Sequence, residues 1–179
     1  MAKTLASILL LFVCFGAASA GPHCTFPCFR FDVGTWVSDT TTLAFSCSNT
    51  SIVTVNGMEE RSCYARRGPF LVTRSGNTYR CVKYVAYNSK ARISLAYAPQ
   101  AKTFLTEPSI CDVCSGSFSP FIFRGRGQNY GSAKQMISAP LVCNRPPLCP
   151  ITDDINDIPC VDFEPIIDDG FMCSSCRNR

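Results

Sequence analysis

Histidine is nearly absent from this chain: His23 is the only one among 179 residues. It would sit close to a frayed mature terminus, where neither a Ser-His-Asp triad nor a Cys-His dyad has a rigid frame. A Gly21-Pro22-His23 start invites copper chelation, but Pro22 has no backbone N–H to give up, so the usual square-planar site is blocked. Charged residues make up only 17% of the chain. The basic ones are scattered rather than clustered as in a nucleic-acid binder. After the first twenty residues there is no helical stripe of useful length and nothing like the roughly 20-residue apolar run of a membrane span. Glu59 and Glu60 are neighbours, so in a strand they point to opposite faces and cannot share a substrate. The acidic residues near the C-terminus do not follow EF-hand loop spacing. These absences argue against an enzyme. No catalytic residue, metal site or cofactor is expected, and neither nucleic acid nor a membrane span is expected among the partners.

Cysteine, by contrast, is abundant. Lys3, an apolar run from Leu5 to Phe15 and Ala18-Ser19-Ala20 have the order of a secretory signal peptide. Residues 1–20 are therefore expected to be removed, and the mature protein is expected to be secreted and extracellular. Twelve cysteines would remain: Cys24, Cys28, Cys47, Cys63, Cys81, Cys111, Cys114, Cys143, Cys149, Cys160, Cys173 and Cys176. An even number in an oxidising compartment predicts six disulfides, with the pairing left open. Cys111–Cys114 and Cys173–Cys176 are both C-x-x-C, but in this context they read as structural bridges to other partners rather than a redox or zinc site. Asn49-Thr50-Ser51 is a glycosylation sequon in a polar stretch, with Asn49 as the acceptor.

From Thr35 to Tyr97 the chain reads as strands joined by turns. Leu43, Phe45 and Cys47 alternate with Ala44 and Ser46, the period-2 pattern of a half-buried strand. Asn56-Gly57 separates two strand-like runs and is a hairpin signal, since both turn positions need positive φ. Ser75-Gly76-Asn77 marks a second hairpin. In the strand after it Tyr79, Cys81 and Lys83 share one face, and Arg80, Val82 and Tyr84 the other. Phe118–Phe123 and Gln135–Ser138 are further strand candidates. The expected fold is all-β: a disulfide-rich antiparallel meander over residues 21–138, closing as a barrel or folding over as a sandwich. Residues 139–179 form an expected loop-rich extension, rich in cysteine and proline. Charge follows the same division, with 14 Lys/Arg against 6 Asp/Glu from Gly21 to Arg145 and 2 against 7 from Pro146 to Arg179. Phe45, Phe70, Tyr79, Tyr84 and Tyr97 are candidates to line a ligand cavity. Aromatics at such positions also simply fill cores.

Just inside the expected mature terminus, Phe31, Gly34 and Trp36 form F-x-x-G-x-W ahead of the meander. This resembles the G-x-W start of the lipocalin and calycin barrels. With Cys24, Cys28 and Tyr79-Arg80-Cys81 it is also similar to cysteine-rich modules of uncharacterised secreted invertebrate proteins. The resemblance covers roughly Cys24 to Cys114. A T-D-Y-type second motif and the usual C-terminal helix are missing. The resemblance implies an eight-stranded antiparallel barrel with Trp36 at its closed end and, commonly, a small apolar ligand inside. Two readings stay open: a non-enzymatic carrier of a small apolar ligand, or an extracellular structural, matrix or surface interaction protein with an acidic tail attracting Ca²⁺. A cavity of roughly 300 Å³ or more would favour the carrier.

Overall fold

The computed structural model describes residues 24–27, 30–31, 34–88, 92–127, 143–153 and 157–160. The expected signal peptide, His23, Cys28, the Gln135–Ser138 segment, the boundary at residue 138, and the part of the acidic tail beyond Cys160, with Cys173 and Cys176, lie outside them. The elements run β1 (Thr35–Val37), β2 (Thr42–Ser46), β3 (Asn49–Val55), β4 (Glu59–Arg67), β5 (Phe70–Ser75), β6 (Thr78–Asn88), β7 (Ile93–Ala98), β8 (Lys102–Thr103), α1 (Ile110–Val113) and β9 (Ser119–Gly125). Strand pairing follows the order β5-β4-β3-β2-β1-β9-β7-β6-β8, with β5 also paired to β6. That last pairing closes the sheet into an eight-stranded antiparallel barrel and leaves β8 outside the ring. The fold is all-β and disulfide-rich, as expected.

Local chemistry explains the turns. Asn56 and Gly57 both have positive φ (51° and 73°), which joins β3 to β4 tightly. The register shifts between Phe45 and Ser46, Cys63 and Ala65, and Tyr84 and Ala86. Irregularities of this kind add local bend and twist, which helps a sheet to close. Because neighbouring strands alternate in direction, one rim carries residues 38–41, 56–58, 76–77 and 99–101. The opposite rim carries the 47–48 and 68–69 turns.

Two faces of the sheet are buried. Inside the barrel, Trp36, Phe45, Val53, Val55, Leu71, Tyr84, Ala96 and Phe123 form one core with Phe26 and Phe31. Outside, Phe70, Val72, Tyr79 and Cys81 of β5 and β6 pack under Ile110, Val113 and Cys114 and against Cys143, Cys149 and Cys160. A chain of bridges holds this outer layer: Cys81–Cys114, Cys111–Cys149 and Cys143–Cys160. The described part of the extension is thus stapled both to itself and to the body. It is irregular apart from one bridge between Arg145 and Pro159. Arg67 also donates to the Pro147 carbonyl at 3.2 Å. The buried Lys83 donates to the Cys143 carbonyl, and its burial pushes the ammonium pKa down to about 8. Arg145, also buried, pairs with Asp157 at 2.9 Å.

Candidate functional site

The barrel is plugged at the rim where the chain enters. Cys24 is bridged to Cys63 of β4, and the Cys24 carbonyl accepts from the Ser51 hydroxyl at 2.8 Å. Phe26 N–H donates to the Thr50 carbonyl at 2.9 Å. These ties lay the segment across the barrel end, where Phe26 and Phe31 meet Phe45 edge-on at 5.1 and 5.8 Å between ring centres. Gly34 then turns the chain into β1 with φ of +73°. Nothing lies within 4 Å of where its Cβ would be, so the need for glycine is conformational.

Trp36 is fully buried. Its indole N–H donates to the Arg30 carbonyl at 3.1 Å, and the Gly34 N–H donates to the same oxygen at 3.1 Å. The Arg30 side chain, itself fully buried, enters the barrel among rings. Its guanidinium carbon lies 4.7 Å from the centres of both Trp36 and Tyr84 and 5.0 Å from Phe123. Burial lowers its pKa, opposed by the Tyr84 hydroxyl. The ring faces supply the electrostatic partner that buried cations need. Of the expected motif, Trp36 and Phe31 join this plug and Gly34 sets its turn. Arg30 was missed because a lone arginine between Phe29 and Phe31 carries no pattern.

Above the plug the barrel is not full. A cavity of about 240 Å³ opens toward the 38–41 and 99–101 rim, with Leu43, Phe45, Val53, Leu71, Tyr84 and Phe123 among its walls. The volume falls below the ~300 Å³ at which ordinary ligand pockets begin. Arg61 and Arg80 also line it. The register explains their placement, since Arg61 lies opposite Val53 and Arg80 opposite Thr73, both cavity-lining residues. Arg61 grips Glu59 with Nε at 2.8 Å and Nη2 at 2.7 Å. Chiefly through that grip, the Glu59 carboxyl is held down at about 2. Arg80 stands exposed on the rim.

Five aromatics were expected to line such a cavity, and the barrel divides them. Phe45 and Tyr84 line it. Phe70 and Tyr79 face outward into the layer under α1, and Tyr97 faces outward with Ile93, Leu95 and Ile122. For these three the expectation is corrected: closure turned their face away from the lumen, and a second apolar layer buries it. Asn49 is exposed at the start of β3, with its side-chain oxygen accepting from the Ser51 N–H at 3.0 Å.

The C-x-x-C at Cys111 and Cys114 runs through the short helix α1 to its C-cap, a helix the sequence reading missed. Its available signal was Ser109-x-x-Asp112: Ser109 accepts from the Asp112 N–H at 3.2 Å, and Asp112 accepts from the Ser109 N–H at 3.0 Å. The two thiols are bonded to Cys149 and Cys81, as ordinary structural bridges. Cys47 is also disulfide-bonded, and the other eight described cysteines pair among themselves. A larger groove of about 680 Å³ runs between α1 and the extension. Its charged groups are already engaged, Asp112 with Ser109 and Arg145 with Asp157. Among the described residues no group of three or more His, Cys, Asp or Glu gathers to hold a metal.

Bridges of this number are typical of extracellular proteins. Among the described residues no helix is long and apolar enough to cross a membrane. The molecule is a disulfide-stapled, closed antiparallel β-barrel with one end plugged and a small internal cavity at the other. Compared with known proteins, the chain matches no family model, no curated protein and no solved structure.

Proposed function

We propose that this chain is a secreted, non-enzymatic binding protein that holds a small, largely apolar ligand in a lipocalin-like barrel. The observation that carries this reading is the apolar-walled opening above the plug, with Leu43, Phe45, Val53, Leu71 and Tyr84 in its wall; at about 240 Å³ it is smaller than the ~300 Å³ of ordinary ligand pockets and so restricts the guest. Preformed apolar concavities are where small ligands bind, because the wall is already ordered and little entropy is lost on closing around the guest. At about 30 Å³ for each water displaced, the space corresponds to roughly eight waters, so the guest is small. Trp36 is structural in this reading, belonging to the plug. Secretion is supported by the bridges, and the exposed Asn49 is proposed as a glycan acceptor.

Native mass spectrometry of the protein from its own source, before and after mild organic extraction, tests the reading. A defined small molecule should be retained and then released on extraction. Ala101→Trp, at an exposed rim position lining the cavity, should abolish retention without lowering the melting temperature. A protein that arrives bare and takes up no small apolar molecule would overturn it.

A second reading is an extracellular structural, matrix or surface interaction protein whose acidic tail attracts Ca²⁺. It is favoured by the packed plug at one barrel end and by Leu148 and Ile151, which stand 90% and 84% exposed on the stapled segment. Specific Ca²⁺ adducts on a ligand-free protein would support it.

A further inference from the structure

We propose that the ligand of this cavity is a small amphiphile bearing one carboxylate, which seats between Arg80 and Arg61 at the open rim with its short apolar tail directed toward Phe45 and Tyr84. This rests on the binding reading above and specifies the chemistry of the guest. The cavity wall carries two guanidiniums, Arg61 and Arg80, while the carboxylates of Glu59 and of Asp39 on the 38–41 turn lie on the same rim but outside the lining. Glu59 is taken: Arg61 holds both its oxygens, at 2.8 and 2.7 Å. Arg61 is only 15% exposed in its side chain, so that pair is a fixed part of the wall. Arg80 is the cation left facing the entrance. Partial burial and the neighbouring Arg61 both press against its charge, and Glu59 relieves it only in part. An incoming anion would supply the missing counter-charge.

The surroundings narrow the class further. Thr73, which lines the cavity, lies opposite Arg80, and a hydroxyl beside a guanidinium suits an oxyanion; Ser38, Thr40 and Thr41 line the cavity as well, already bonded within their own turn. A planar carboxylate matches the guanidinium fork and brings one charge. Below the rim the wall turns apolar within the height of the barrel, at Leu43, Phe45, Val53 and Leu71. Head and tail therefore have separate, adjacent seats.

Isothermal titration calorimetry of the intact oxidised protein with octanoate and with octanol at low ionic strength tests this. The two probes share a chain length and differ in the charged head. Octanoate is expected to bind at least tenfold more tightly than octanol. Arg80→Gln should remove that preference while leaving octanol affinity and the melting temperature unchanged. Arg80→Lys should restore part of it, and raising salt should weaken octanoate alone. Equal binding of the two probes would overturn the carboxylate inference while leaving a ligand-holding barrel. A preference for octanoate that survives Arg80→Gln would overturn the assignment to Arg80. Binding of neither probe to wild type, with a bare protein in the native mass spectrum, would overturn both this inference and the binding reading.

Discussion

At the residue scale, two buried cations do opposite kinds of work. Arg30 fills the plug and is balanced by the faces of Trp36, Tyr84 and Phe123. Arg30→Ala should lose about 3 kcal/mol, because it empties a space between rings that cannot close up. Arg30→Met keeps most of the volume and should lose only about 1 kcal/mol, the share owed to the cation over the rings. Urea unfolding under non-reducing conditions reads both, and equal losses would show that charge rather than packing dominates. Lys83 lies on the other face of the wall, under the Cys143 carbonyl. Its folded pKa is lowered to about 8 from an ordinary 10.5. The folded state therefore binds fewer protons than the unfolded chain between these values. Below pH 8 the full penalty is present, and stability should rise as pH climbs from 8 to 10.5, by on the order of 2–3 kcal/mol. Lys83→Met should remove that rise and be the more stable protein at pH 7. A parallel pH profile in the variant would refute the assignment.

At the scale of the element, the connections matter more than the strands. β1 is three residues long and is held by the turn before it. Gly34→Ala places an L side chain at φ of +73°, with an expected loss of about 1–2 kcal/mol. Thermal melting in oxidising buffer measures it. No steric relief is available to rescue the variant, since the strain is in the backbone. The α1 element owes its four residues to the Ser109–Asp112 capping box and to two bridges, since a helix this short is not stable alone. Replacing both Cys111 and Cys149 by Ser should cost about 2–4 kcal/mol. It should increase hydrogen exchange in α1 and residues 143–153 while leaving the barrel strands protected. Loss of protection in β4 to β6 as well would mean that the outer layer and the barrel fold as one unit.

At the scale of the whole molecule, one sheet serves two cores. The lumen holds the plug and the cavity, and the outer face of β4 to β6 is sealed by α1 and the stapled extension. Peptide mapping without reduction should return Cys24–Cys63, Cys81–Cys114, Cys111–Cys149 and Cys143–Cys160, and any exchange among these partners would contradict the layered arrangement. Acid should weaken the molecule at the rim and in the extension. Arg61's hydrogen bonds hold the Glu59 carboxyl down at about 2. Burial pushes the Asp157 carboxyl up, but Thr152 and Arg145 bring it below its ordinary value. Folded values below the unfolded ones mean that these groups add stability above pH ~4.5, lost as pH falls toward 2. Glu59→Gln should flatten the part of an acid-unfolding curve that belongs to the rim.

Much of the barrel was readable from residues alone. Alternating Leu43 and Phe45 marked β2, Asn56-Gly57 marked the β3–β4 turn, and Trp36 marked a buried anchor, because these signals are local and each has a steric or burial cause. Period-2 alternation also separated Tyr79, Cys81 and Lys83 from Arg80, Val82 and Tyr84. It could not say which set faces inward, since both carry large side chains and both faces of the sheet are buried. Ring closure made that choice, turning Arg80 and Tyr84 toward the lumen and sending Phe70, Tyr79 and Tyr97 outside. The two-residue β8 and the four-residue α1 were too short to express a period. Cysteine number pointed to a stapled extracellular chain, whereas the partner of each thiol was decided by which strands and loops came within bonding distance. The sequence by itself therefore determined the strand content and the means of stabilisation. Tertiary closure alone decided the inside, the cavity and the cations at its rim, because those depend on contacts between residues far apart in the chain.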